Sequence, residues 1–466
     1  MKKICTLFAV MVAWSISLVA ADIEVTDADL QAAGDNVTWT SDNVYILDGF
    51  VFVNDGQTLN IEAGTVIKGK PGQEENASAL IVARGGKIMA NGTAQNPIIF
   101  TGQADDLEGS VPDEVTGLWG GLIVLGKGAT NNIPAEKAIE GIPTSETRGL
   151  YGADPTVEDD NSGMMQYVSI RHGGTDIGEG NEINGLTLGA VGTATTFSYI
   201  EVLSNKDDGV EWFGGAPKCD HFVVAWVGDD SYDYDEGFSG LNQFMVAVQL
   251  PDRGDRLGEH DGGPSSNELG EPFATPVFSN VTYVGRGTGA GKRVITFRDN
   301  AGGMYVNSIF AEQEKGIDIE YREDGGGSSV GQCSYSQWAD AENLEVKNNI
   351  FQNVADGTGT GIFKVESPKD DLDNPIFTVP AQASTDFAAY FATAGNEASD
   401  VGVDATNPTA SGDVYGADFT GMDAWFTITG YRGAFKPNEN WAAGWSLSLG
   451  DVTAKENTNT GEVITI

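Results

Sequence analysis

The chain has 466 residues with 68 acidic against 26 basic side chains, a net charge of −42, and no basic patch. Such a balance excludes nucleic acid and anionic membranes as partners and favours solubility and cation binding. With 40% hydrophobic residues it is not a disordered acidic polymer either, and it can bury a sizeable core.

Lys2 and Lys3 precede an apolar run from Ile4 to Ala20, and Val19 and Ala21 stand at the −3 and −1 positions of a cut. The pattern predicts a signal peptide over 1–21 and a product secreted to the medium, the cell surface or the periplasm. Cleavage leaves 445 residues at −44, without a second apolar run of membrane-spanning length. Residues 22–43 are expected to form an N-terminal cap, with helical periodicity near Thr26–Ala33. Short β-branched runs bounded by Gly, Asn or Asp then follow at 44–53, 79–83, 97–101, 122–125, 167–170, 199–203, 222–227 and 293–297. Each is too short for a buried helix and reads as a strand. The gaps 102–117, 141–162 and 251–275 read as loops. From about Asp370 the pattern fades into a C-terminal capping segment over 367–450, with a short helix near Asp386–Ala394 and an aromatic-rich stretch at Tyr431–Leu449. Residues 451–466 form a polar tail.

Internal repetition fixes the architecture. LNIEAGTVI (59–67) aligns with LIVARGGKI (80–88) at an offset of 21, matching Gly64 with Gly85 and Ile67 with Ile88. NKDDGVEWFGG (205–215) is echoed 22 residues later by GDDSYDYDEGFSG (228–240), laying Ile200 and Val202 over Phe222 and Val224. NSIF at 307–310 recurs as NNIF at 348–351, a spacing of 41 that reads as two such units. Sandwich strands return at 8–12 residues and propeller blades repeat near 40, so neither explains echoes at 21 and 22. The reading is an all-β parallel β-helix, a solenoid over 44–366 in which each repeat is one coil.

DGFVFVNDGQTLNIEAGTVIKGKPG, ALIVARGGKIMANGTAQNPIIFT, LWGGLIVLG, YVSIRHGG, GNEINGLTLGAVG, NKDDGVEWFGG, GDDSYDYDEGFSG, GEHDGG and ITFRDNAGG together resemble a family of secreted bacterial right-handed parallel β-helix proteins. The resemblance covers about residues 44–366 and extends to the Trp-rich C-terminal segment. It implies the handedness of the coil and export; the family brings no established activity, hence no mechanism.

Several chemistries fail on spacing. GRGTGAGKR (285–293) has Arg286 where a phosphate-binding loop needs glycine and Arg293 where it needs Ser or Thr. No CxxC pair occurs, and His172, His221 and His260 lack zinc spacing. Cys219 and Cys333, 114 residues apart, are expected to lie several layers from each other and to remain unpaired.

An acidic belt remains. Between Asn205 and Asp261 thirteen acids (Asp207, Asp208, Glu211, Asp220, Asp229, Asp230, Asp233, Asp235, Glu236, Asp252, Asp255, Glu259 and Asp261) face four bases, Lys206, Lys218, Arg253 and Arg256. Register-matched residues on adjacent coils lie about 4.8 Å apart. Two carboxylates about 5 Å apart repel by about 3 kcal/mol at an effective dielectric of 20. Stacked Asp208 and Asp230 therefore need a cation, a guanidinium or a raised pKa, unless they splay into water as turn aspartates. Ca²⁺ fits best, since it accepts six to eight oxygens in loose geometry. Its expected ligands are Asp207, Asp208, Glu211, Asp229, Asp230, Asp233 and Asp235, on a strand where Tyr232 and Tyr234 alternate with the acids. The belt supports a structural or glycan-binding role, with polysaccharides or surface glycans as partners and Trp119, Trp212, Tyr232, Tyr234 and Phe238 available to stack on sugars, although Trp212, alternating with Val210, also reads as core. The alternative is a polysaccharide lyase or glycoside hydrolase acting through Asp208, Asp230, Glu259, His260 and Arg298. Those five must then converge on one open groove. Arg298 has a structural reading as a turn-bracing Arg–Asp pair, and His172 in RHGG as a loop-bracing residue. Oligomeric state is not legible.

Overall fold

The computed structural model describes residues 21–178, 181–264, 267–323, 333–370 and 372–450. The predicted signal peptide, but for Ala21, and the tail 451–466 lie outside the described residues. The rest winds into a right-handed parallel β-helix with three strand columns per coil. One column is a ten-stranded parallel sheet from Phe50–Val53 to Phe363–Glu366. The other two bend into each other, and the strands Gly163–Arg171, Thr196–Leu203, Lys218–Ala225 and Leu241–Val248 run through both.

Coil length varies more than the repeats suggest. Val210 pairs with Tyr232 and Ile200 with Phe222, the expected 22-residue coil. The echo at 21 is not a coil register: Ile88 pairs with Leu59, and Ile67 with Tyr45 and Phe100. Gly64 and Gly85 share a turn conformation (φ 84° and 85°) at successive corners of the path rather than on stacked coils. The 41-residue spacing is one coil, not two, because Phe310 pairs directly with Phe351 and the surplus residues leave the stack, helix Ser334–Ala339 among them.

Strand alternation sends every second side chain of the ten-stranded sheet inward. Val51, Leu80, Leu122, Leu186, Val210, Tyr232, Ile295, Ile317 and Phe363 are all essentially buried and belong to one continuous core. The stack begins at Ala21 rather than at residue 44: Ala21–Val25 pairs with Asn43–Leu47, and Asn36–Trp39 with Thr58–Ile61. Helix Asp27–Ala32 covers the first strand of the sheet, where Asp27 Oδ1 accepts from Phe52 N–H (3.1 Å) and Gln31 donates to Phe52 O (2.7 Å). That satisfies an edge which would otherwise template association. At the far end, helix Ala381–Thr393 sets Phe387 and Phe391 on Phe363 and Phe351. Cys219 and Cys333 are buried and free, as expected.

The predicted capping segment divides after that helix. Residues 397–449 run back along the flank, laying Val401, Val414, Ala434 and Phe435 against Val223, Val246, Ile309 and Ile350. The strap sits on the corner between the two bent columns. There Tyr167, Tyr199, His221 and Phe244 hold φ of 49–58° on four successive coils, a conformation costly for side chains with a Cβ. Stacking fixes them: Tyr199 lies 4.3 Å from Tyr167 and from His221, and Trp441 and Trp445 meet the ladder edge-on. Higher up, Asn280, Asn307 and Asn348 take the same corner and donate to strap carbonyls at 2.8–2.9 Å.

Glu201, fully buried, ties the strap's end to the coils. It accepts from Ser169 Oγ (2.6 Å), Ser446 Oγ (2.7 Å) and Ser448 N–H (2.9 Å). Burial pushes its carboxyl up, but the Arg171 charge and these donors hold it below the usual range. Replacing Glu201 with Ala leaves those donors unpaired, so we expect a loss of about 3 kcal/mol in urea denaturation. Limited proteolysis should then cut within 431–449 while the coils stay protected.

Candidate functional site

Alternation that sends apolar residues inward must send their neighbours outward. On the outer face of the ten-stranded sheet one row runs in strict register through Phe52, Ile81, Ile123, Thr187, Glu211, Asp233, Glu259, Thr296, Asp318 and Lys364. Its first three members are apolar and covered by the excursion 126–162, whose Ile139, Ile142 and Tyr151 pack on them. The excursion is pinned by the buried Glu236, which accepts from Asn132 (2.6 Å), Tyr151 Oη and Lys137. Beyond its rim the row turns acidic.

The turns before these strands carry Asp207–Asp208, Asp229–Asp230 and Asp255–Arg256. Asp208 Oδ1 accepts the N–H of Asp230 (2.8 Å), and Asp230 Oδ1 accepts the N–H of Arg256. Both capping and burial therefore hold: Asp208 is 8% and Asp230 1% exposed, so neither splays into water. The repulsion between them has to be met inside the protein.

Arginine meets part of it. Arg256 Nη1 lies 2.8 Å from Glu259, 3.2 Å from Asp255 and 3.5 Å from Asp230. Arg298, paired in register with Asp261, binds it through Nε (2.6 Å) and Nη2 (3.0 Å) and reaches Glu259 at 2.9 Å. Asp299 pairs with Arg322 at 3.5 Å, so the expected Arg298–Asp299 brace is replaced by two pairs across coils. Neither guanidinium reaches the N-terminal half of the trough. Among the described residues Glu211 has only the Asn184 side-chain amide, and Asp233 Oδ1 is buried without a hydrogen bond.

Burial consequently pushes the carboxyls of Asp208, Glu211, Asp230 and Asp233 well above the usual range, with neighbouring acids adding to it. Asp235 is pushed up to about 7, mainly by burial and then by Glu236. Three triads each bring one carboxylate oxygen per residue within 4.8 Å of the others: Asp207–Asp208–Asp229, Asp208–Glu211–Asp233 and Asp229–Asp230–Asp255. Close, hard oxygen donors of this kind suit Ca²⁺. Six of the seven expected ligands fall in these triads. Asp235 does not; it follows Phe213 in the adjoining outward row, beside Glu236 and Asp261. Asp255 was missed because an insertion puts it 26 residues after Asp229 instead of 22.

Of the five residues expected to act together, four line this face and one does not. His260 points inward between Glu259 and Asp261, fully buried, stacked on Tyr234 at 4.1 Å and hydrogen-bonded through Nε2 to Tyr305 Oη (2.8 Å). Burial drives its pKa to about 3, so it stays neutral and out of reach of a surface substrate. The aromatics expected to stack on sugars are also core: Trp119, Trp212, Tyr232, Tyr234 and Phe238 are fully buried. His172 braces a loop as expected, bonding Val115 O at 2.6 Å.

A family model described as a pectate-lyase-like beta helix domain matches residues 31–407. No curated protein matches the chain. Among solved structures, the Dettilon tailspike protein gp208 is similar at 8% identity over 70% of this chain and 57% of that one, with a TM-score of 0.27. The match thus spans little more than half of the tailspike. PfbA, a surface adhesin of Streptococcus pneumoniae, is similar at 12% identity over 76% of this chain and 91% of that one, with a TM-score of 0.20. At these scores neither likeness bears on function.

A carboxyl whose pKa is higher folded than unfolded contributes stability that is complete below about pH 4 and lost as pH rises through its folded value. With chelator present, the melting temperature should therefore fall between pH 5 and pH 8. Asp233→Asn, which removes one titrating group but keeps its shape, should flatten that slope in a calorimetric pH series.

Proposed function

The chain belongs to the pectate-lyase-like β-helix domain family, and on that footing we propose that it is an extracellular glycan-binding protein whose acidic trough binds Ca²⁺. One observation carries the reading. Asp208, Glu211 and Asp233 bring three carboxylate oxygens within 4.8 Å of one another, Asp233 Oδ1 accepts no hydrogen bond, and no ion pair reaches the three among the described residues. A divalent cation offsets that repulsion where the arginines do not, and it keeps coordination sites for sugar hydroxyls or carboxylates arriving from the open side. The placement outside the cell rests on the predicted signal peptide.

Ca²⁺ at about a thousand times its Kd should stabilise the fold by about 4 kcal/mol. The melting temperature should rise by roughly 4 °C at pH 8 and less at pH 5, where protons compete for the same oxygens. EDTA should reverse the rise, and Asp208→Asn/Asp233→Asn should abolish it. A polysaccharide array probed with and without Ca²⁺ then tests the glycan: binding that ignores the cation counts against the trough.

Hydrolysis is the second reading, favoured by Glu211 and Asp233. They sit in register on adjacent strands, at a spacing that suits a retaining glycosidase, and burial and neighbouring acids raise both carboxyls above their usual range, as a general acid requires. Release of reducing ends by the wild type and not by Glu211→Gln would favour hydrolysis over binding.

A further inference from the structure

The outward row ends in opposite charge. Thr296 pairs with Asp318 and Asp318 with Lys364, and beside them opens a cavity of about 890 Å³. One wall is formed by the strands Arg293–Arg298, Lys315–Glu320 and Phe363–Glu366. The other is formed by Ser367, Lys369, Pro375 and Phe377 to Val379, where Phe377 N–H donates to Ser367 Oγ (2.8 Å) and Ile376 N–H to Pro368 O (2.9 Å). Phe377 and Val379, half-buried against the core, give it an apolar side.

Six charged groups face this space. Arg293 is engaged by Glu366 (2.6 Å) and Asp318 (3.2 Å), Lys369 by Asp373 (2.7 Å), and Glu314 by the N–H of Gly291 (2.5 Å). Lys315 and Lys364 remain, and neither ammonium has a carboxylate within ion-pair distance among the described residues. By strand spacing their Cα atoms stand about 11 Å apart. Both lysines are exposed, and the Lys364 charge acts on Asp356 only from beyond ion-pair distance, which is unexpected in a chain with 68 acids. The negative field of the whole molecule repels anions, so an anion can settle only where local cations outweigh that field within a Debye length of about 8 Å.

We propose that this cavity binds an anionic sugar, its sulfate or carboxylate oxygens held by Lys315 and Lys364 and an apolar ring face laid on Phe377. The site is separate from the cation trough and does not depend on it.

Titration calorimetry on the mature protein in EDTA tests it, because chelation silences the trough. The probes are a sulfated heparin disaccharide, tetragalacturonate and neutral cellotetraose. At least one charged sugar should bind ten-fold or more tightly than the neutral one, and the tighter of the two names the oxyanion. Lys315→Gln/Lys364→Gln should weaken that binding at least ten-fold with an unchanged melting temperature, while Asp233→Asn leaves it intact. Equal affinity for charged and neutral sugars, absence of binding, or binding that survives the double lysine substitution would each overturn the proposal.

Discussion

Everything in this molecule follows from stacking strands in parallel register about 4.8 Å apart. Each side chain then lies over its counterpart on the next coil and faces the same way. For apolar and aromatic residues the constraint is favourable, and the interior becomes stacked pairs such as Tyr234 on His260 (4.1 Å) and Phe278 on Tyr305 (4.7 Å). For outward charges it is unfavourable, because like charges line up at a distance where they repel by about 3 kcal/mol per pair at an effective dielectric of 20.

The outward row answers this constraint in three ways along its length. Near the N-terminus it abandons charge, and Phe52, Ile81 and Ile123 go under the excursion pinned by Glu236. Past Glu259 it intersperses cations, so that Arg298 lies over Asp261 and Arg293 reaches Asp318 at 3.2 Å. Between these stretches Glu211 and Asp233 face each other with neither remedy. Among the described residues no ion pair relieves that facing pair. Elsewhere a buried acid in this protein is fully served: Glu201 has five donors and an arginine, and its pKa falls instead of rising.

The alternation in YDYD and the 22-residue echo were enough to place Glu211 and Asp233 on one outer face. The same alternation also puts His260 inside, since it stands between the outward Glu259 and Asp261; its chemistry drew attention away from its parity. Register failed where coils change length. The echo at 21 joined two turns of similar shape, and the insertion after Val248 hid Asp255 as the partner of Asp229. What no pattern carried was contact between distant segments. The strap's return to Glu201 spans 245 residues and the Glu236–Asn132 pin 104, and neither is tied to a repeat. Lys315 and Lys364 were invisible for a related reason: which acids come within reach of a lysine depends on segments far apart in the chain.

Coverage narrows the functional surface further. The strap lies over the column that carries Val223, Val246 and Ile309, and the excursion over the first coils of the ten-stranded sheet. The stretch of that sheet from Glu211 to Lys364 is left between them, six strands wide, or about 24 Å by strand spacing. A small solute would meet only the acidic or only the basic end of such a face. On the two proposed readings, an extended anionic sugar chain would lie across both, bridged by the cation at the trough and bound directly at the lysines. The opposed charges then fix its direction along the row as well as its place on it.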